Sequence, residues 1–162
     1  CWALALAAEN RASVLALTRQ GLPALRREHA DENLCARGAY VLRPAEGAAR
    51  ATLFATGSEV AIAVAARETL QAAGVPATVV SVPCWELFEN QPEDYRRRIL
   101  GEGTVRVAIE AASPIGWERF TGTDGAFIGM RTFGDSAPAA DLYRHFGITP
   151  EKVVEAVRAR LD

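Results

Sequence analysis

Histidine occurs only twice in the 162 residues, as His29 and His145. A histidine-rich metal centre cannot be assembled from this chain, and a Ser/His/Asp or Cys/His site would have to rest on one of those two positions. That argues against a self-contained hydrolase. Cysteine is scarce as well: Cys1, Cys35 and Cys84 are odd in number, widely spaced and form no CxxC pair. They fit neither a zinc site nor thioredoxin-like chemistry and read as reduced thiols of a cytoplasmic protein. No apolar run approaches the roughly 18 residues that a membrane span needs. Charge of one sign is missing too, since 18 basic against 20 acidic residues leave a formal net charge of −2. There is no broad basic field to hold nucleic acid or an anionic membrane, so neither partner is expected. The nucleotide-binding strings GxGxxG and GxxxxGK[ST] are also absent from the sequence.

What is present is an ordinary globular composition, 49% hydrophobic and 23% charged, at a length that suits one domain and at most one small appendage. The chain opens at Cys1 without a basic leader region, which raises the expectation that it is a piece of something longer. Residues 1–10 are rich in Ala and Leu and read as the last turns of a helix. SVLALT (13–18) is short and apolar like a buried strand, whereas 20–37, with Gly21, Pro23 and the string RREHADE, reads as a connector. A domain boundary is placed after residue 37.

Beyond it, apolar runs at 38–42, 51–55, 77–82, 104–110 and 126–130 have strand length. Val60, Ala61, Val64, Ala65 and Leu70 fall at helical spacing and the run stops at Gly74, a C-cap glycine. Thr56 and Glu59 have the spacing of a capping box, with Ser58 as a competing N-cap. Short helical material occupies 86–100, a helix is expected over 137–146, and a last helix opens with Thr149 as N-cap and Pro150 at its first position. Val153, Val154 and Val157 lie on one face of that helix. Strands alternating with helices predict an α/β fold: three layers, a mainly parallel sheet with helices on both faces.

In such a sheet, function gathers beyond the carboxyl ends of the strands. TGSE (56–59) could offer amides to an anion, though a plain capping box explains it as well. Glu110 ends an apolar strand and needs a donor partner or solvent, and a structural pairing is the simpler reading than general acid/base work. His145 is read as a helix-end histidine. Arg96, Arg97 and Arg98 are read as a solvated helix face, because successive residues point in different directions. Arg19, just past SVLALT, carries a planar fork that can grip two phosphate oxygens; on residue type and place alone, a structural ion pair fits equally.

The strings LALTRQGLPAL (15–25), ATGSEVAIAVAA (55–66), VVSVPCWELFENQ (79–91), EAASPIGWERFTG (110–122) and FGDSAPAADLYRHFGITPEKVVEAV (133–157) follow in order. Together with GAYVL (38–42) they resemble the C-terminal portion of transketolase across nearly the whole chain. The resemblance implies that 1–37 is the tail of a pyrimidine-binding domain with its linker, and that 38–162 is the transketolase C-terminal domain. It further implies a parent homodimer that binds thiamine diphosphate and magnesium (Mg2+) and moves a two-carbon ketol unit between sugar phosphates of the pentose phosphate pathway. The remaining domains, or a separate subunit, would be this chain's partners. The family's catalytic, cofactor-binding and metal-binding residues lie upstream, so none is expected here and the segment alone should be inactive. One position carries over: Arg19, in TRQ, matches the arginine of the family's SRQ motif that binds the substrate's terminal phosphate. Thr18 in place of serine keeps the hydroxyl. A rival reading is a non-catalytic effector- or nucleotide-binding module; another is the C-terminal domain of a different thiamine-diphosphate enzyme.

Overall fold

A computed structural model describes residues 1–161. In chain order its elements are α1 (Trp2–Leu6), β1 (Tyr40–Arg43), β2 (Ala51–Ala55), α2 (Val60–Ala72), β3 (Ala77–Ser81), α3 (Trp85–Glu89) and α4 (Glu93–Leu100). They continue with β4 (Val105–Ile109), α5 (Glu118–Thr121), β5 (Ala126–Ile128), α6 (Ala139–Phe146) and α7 (Pro150–Arg158). The strands form one sheet in the order β1-β3-β2-β4-β5. All neighbours run parallel except β1, which lies antiparallel on β3 as an edge. This is the mainly parallel α/β sheet that the alternating pattern predicts. No helix among the described residues is long and apolar enough to cross a membrane.

Strand β2 organises both layers, because its side chains alternate between two cores. Leu53 packs with Val79, Val107 and Ile109 against α2 (Val60, Ala63, Ala66, Leu70) and α7 (Val153, Val154, Val157). Phe54 points the other way, with Val80 and Ala108, against Phe88 of α3, Ile99 of α4 and the pair Trp117 and Phe120. Phe120 is the centre of that second core. Its ring lies 5.4 Å from Phe54, 5.2 Å from Phe88 and 5.4 Å from Trp117, centroid to centroid. Helices thus cover both faces, and all five residues of β2 are buried.

The helix ends explain where several elements stop. Thr149 accepts from the Lys152 amide at 3.4 Å and Pro150 begins α7, as its N-terminal signature predicts. After α2, Gly74 takes φ 75° and Val75 N–H returns to the Leu70 carbonyl at 2.9 Å. The expected strand at 13–18 does not form. Residues 13–18 belong to no strand or helix and are mostly exposed: they pair with neither β1 nor β5, the open edges of the sheet, and a lone strand has no partner for its amides. Helix α5 is a four-residue turn in a stretch to which the sequence assigns no element.

Thr52 is the polar residue of β2, and its hydroxyl lies 2.7 Å from that of Thr104, which itself donates to the Gly101 carbonyl at 2.7 Å. Gly101 ends α4 at φ 65°, and a Cβ there would stand 2.2 Å from the Thr52 hydroxyl oxygen. Gly101→Ala is therefore expected to lower the unfolding free energy by about 2–4 kcal/mol, the sum of a left-handed backbone and a buried clash. A urea titration with an unchanged midpoint would refute this account of the turn.

Candidate functional site

The sheet order creates one place where neighbouring strands part company. The chain leaves β2 for α2 on one face, whereas it leaves β4 for α5 on the other, so the carboxyl ends of these adjacent strands diverge and open a crevice. TGSE follows β2 and Glu110 follows β4, so two stretches singled out separately in the sequence meet there.

Glu59 is the deepest charged group at this point, only 5% exposed. It is not the reaching arm of a capping box: Thr56 makes no side-chain cap, and the Glu59 carboxylate turns inward instead. Its Oε1 accepts from Ser58 Oγ at 2.8 Å and from the Tyr143 hydroxyl of α6. A buried carboxylate needs such donors more than a helix start needs a cap, and that preference decides the geometry. Burial, followed by the bond to Glu59, pushes the Tyr143 hydroxyl above its usual pKa, so it stays protonated and remains a donor.

Glu110 is half-buried and accepts from Trp117 Nε1 at 2.5 Å. Burial raises its pKa; the indole bond opposes this and the nearby Glu59 adds to it. Glu110 is thus a structural acceptor, as its strand-end position suggests. His145 sits exposed in the last turn of α6 with its ring edge against Phe146, and reads as a helix-end residue. The three arginines of α4 diverge: Arg97 pairs with Glu102 at 2.8 Å and Arg98 lies over the Tyr95 ring at 5.1 Å, whereas Arg96 is only partly exposed. Cys1, Cys35 and Cys84 are free thiols, and burial pushes the Cys84 thiol up, away from reactivity.

Arg19 is exposed, and none of the ion pairs among the described residues uses it. Its flanks are held. Gln20 N–H donates to Thr18 Oγ1 at 3.2 Å, and Gln20 Nε2 donates to the Tyr143 hydroxyl at 3.2 Å. The crevice and the TRQ turn therefore share Tyr143. Trp117 ends the strand-end stretch EAASPIGW without a sequence signal that pairs it with Glu110, and no signal marked Tyr143, whose partner Glu59 lies 84 residues away.

The family profile described as "Transketolase-like TK C-terminal domain" matches residues 38–149. The chain belongs to the transketolase family. A transketolase of Sinorhizobium medicae is 61% identical over 95% of this chain and 22% of its own length, and that of Rhodobacter capsulatus is 53% identical over 99% and 25%. The chain spans about a quarter of these relatives. Among solved structures, a Pichia stipitis transketolase in complex with sedoheptulose-7-phosphate superposes with TM-score 0.77 at 32% identity, covering 88% of this chain and 20% of that one. A split-gene transketolase described as an inactive beta4 tetramer gives TM-score 0.66 at 28% identity, over 88% and 48%. Transketolases are transferases, so the relatives that this chain resembles belong to that class.

The raised pKa of Glu110 has a sign that can be tested. The folded chain holds this proton to higher pH than the unfolded chain, so the group's contribution is full below the ordinary value of 4.5 and is lost as pH rises through the raised folded value. Glu110→Gln keeps an oxygen for the Trp117 indole and cannot ionise. It should be more stable than the unsubstituted chain at about pH 7 and match it near about pH 4, by thermal unfolding at both. A difference independent of pH would exclude the titration of Glu110 as its source.

Proposed function

We propose that this chain is the C-terminal portion of a transketolase that transfers a two-carbon ketol unit between sugar phosphates in the pentose phosphate pathway, with thiamine diphosphate and magnesium as cofactors. Residues 1–37 are the end of its pyrimidine-binding domain with the linker, and 38–162 are its C-terminal domain. The observation that carries this reading is the 53% identity to a transketolase over 99% of the chain, which runs through the stretch before residue 38 as well as the domain after it. In this reading the enzyme is a cytoplasmic homodimer, and the remaining domains, on the same or another chain, are the partners of this segment.

The cofactor does not fit the residues present here. Among the described residues no three His, Cys, Asp or Glu side chains cluster to hold a metal ion, and the acidic crevice of Glu59 and Glu110 is a poor host for a diphosphate. No step of the reaction is therefore assigned to this chain through the cofactor. What the chain contributes is one cation and a scaffold. Arg19 contacts the terminal phosphate of the substrate, where its guanidinium can donate two parallel hydrogen bonds to phosphate oxygens. Its exposure and freedom from ion pairs among the described residues support that role over a structural pairing.

An effector module for anionic nucleotides is the weaker reading. Such a ligand at the switch point would face two carboxylates and would have to displace Tyr143 and Trp117 from them.

Two measurements test the proposal. The chain by itself, supplied with thiamine diphosphate and magnesium, should show no ketol transfer; turnover would show that the catalytic groups lie within it. In the complete enzyme, Arg19→Ala should weaken the transition state for phosphorylated substrates by about 1.5–3 kcal/mol, the worth of a charge-assisted bond, with a small effect on unphosphorylated acceptors. Equal losses for both acceptor types would remove the phosphate role.

A further inference from the structure

The polar chain from the crevice to the TRQ turn is continuous. Glu59 lies buried at the start of α2, Tyr143 stands on α6, and Gln20 belongs to the segment before the domain. The Tyr143 hydroxyl has one proton and two lone pairs. The proton goes to the Glu59 carboxylate, which leaves the oxygen free to accept from Gln20 Nε2, and donation to an anion strengthens it as an acceptor. A protonated hydroxyl here is favoured by burial, as noted for Tyr143.

The segment is fastened at a second point, beyond the turn. Leu25 packs against the core of α2 and α7, and its carbonyl accepts from Arg43 Nη2 of β1 at 2.5 Å. Between residue 20 and residue 25 no element of secondary structure stiffens the backbone. Thr18 Oγ1 closes the turn from the other side by accepting from the Gln20 amide. Arg19 thus stands between Thr18, whose hydroxyl closes the turn, and Gln20, whose side chain meets α6, while its own guanidinium stays exposed.

Resting on the assignment of Arg19 to substrate phosphate, we propose that Tyr143 is a positioning residue. Its hydroxyl, oriented by Glu59, holds Gln20 and so sets where the Arg19 guanidinium meets the phosphate. The C-terminal domain then contributes to substrate recognition without touching substrate. Holding the turn lowers the ordering cost of forming a bidentate contact, which a freely moving coil would incur on every binding event.

The test uses steady-state kinetics of the complete enzyme with a phosphorylated aldose acceptor and its unphosphorylated counterpart. Tyr143→Phe keeps the ring packed against the core and removes only the hydroxyl; Gln20→Ala removes the other end of the bond from an exposed position. Each should raise KM for the phosphorylated acceptor about three- to tenfold, the range for one lost hydrogen bond, with kcat and the unphosphorylated acceptor unchanged. Neither should add to the defect once Arg19 is alanine. Equal losses on both acceptors, or a full additional loss in the Arg19→Ala background, would overturn the proposal. Arg19→Ala alone separates the two levels of inference. If it does not discriminate between acceptors, the phosphate role falls and the positioning role with it; if it discriminates while Tyr143→Phe and Gln20→Ala do not, only the positioning role falls. Should Tyr143→Phe fail to fold, Gln20→Ala decides.

Discussion

A carboxylate buried at the carboxyl end of the central strand constrains this structure more than any other single group. Glu59 has left water, and an ionised carboxylate without donors would cost several kcal/mol at such a site. Its two hydroxyl donors come from different elements: Ser58 in the turn before α2, and Tyr143 on α6, 84 residues beyond Glu59 along the chain. Satisfying Glu59 therefore adds a polar tie between α6 and the end of the sheet to the packing of Tyr143 and Phe146 on the core. It also leaves Tyr143 oxygen facing the segment before the domain, where Gln20 meets it. One desolvated charge thus ties together the sheet, a peripheral helix and an otherwise irregular stretch of chain.

The parts of the fold that were legible in the sequence are those set by local chemistry and by period. Runs such as ATLFA and ATVVS became β2 and β3, and Thr149 with Pro150 opened α7, because these signals act over a few residues. The misread parts depend on a partner. SVLALT has the composition of a strand, yet a strand needs a partner and this stretch pairs with neither open edge of the sheet, β1 or β5. Thr56 and Glu59 have the spacing of a capping box, yet a hydroxyl from α6 competes for the same carboxylate and wins through burial. The antiparallel placement of β1 against β3, and the switch between β2 and β4, are likewise tertiary facts. Alternation of elements predicts the sheet but not its order.

The site was legible as separate words. TGSE and Glu110 stood out because carboxyl ends of strands attract function, and the order β3-β2-β4 explains why they are adjacent. Tyr143 carried no such mark, and Trp117, inside the strand-end stretch 110–117, carried no sign of its partner, since an aromatic among apolar neighbours is ordinarily core. The family likeness worked by a different route. One of its strings, FGDSAPA, lies mostly in an exposed loop, with Phe133 98% exposed, so packing within this chain does not account for it. The likeness and the physical reading meet elsewhere, at TGSE, at Glu110 and Trp117, at Tyr143 and at TRQ, where strings of the resemblance carry the residues of the site.

That overlap favours a division of labour based on sign. The crevice collects negative charge and closes over it with the chain's own donors, Tyr143 for Glu59 and Trp117 for Glu110. The exposed cation, Arg19, stands one residue from the side chain that reaches this closed network. An anionic ligand is repelled by the first and attracted by the second. A switch-point crevice in an α/β sheet is ordinarily where a ligand enters; here the protein's own side chains occupy it, and its geometry serves to hold a neighbouring segment in place instead. In the proposed enzyme, recognition of a phosphate then falls to the irregular TRQ turn, and the precision of that recognition depends on a domain that makes no contact with the substrate.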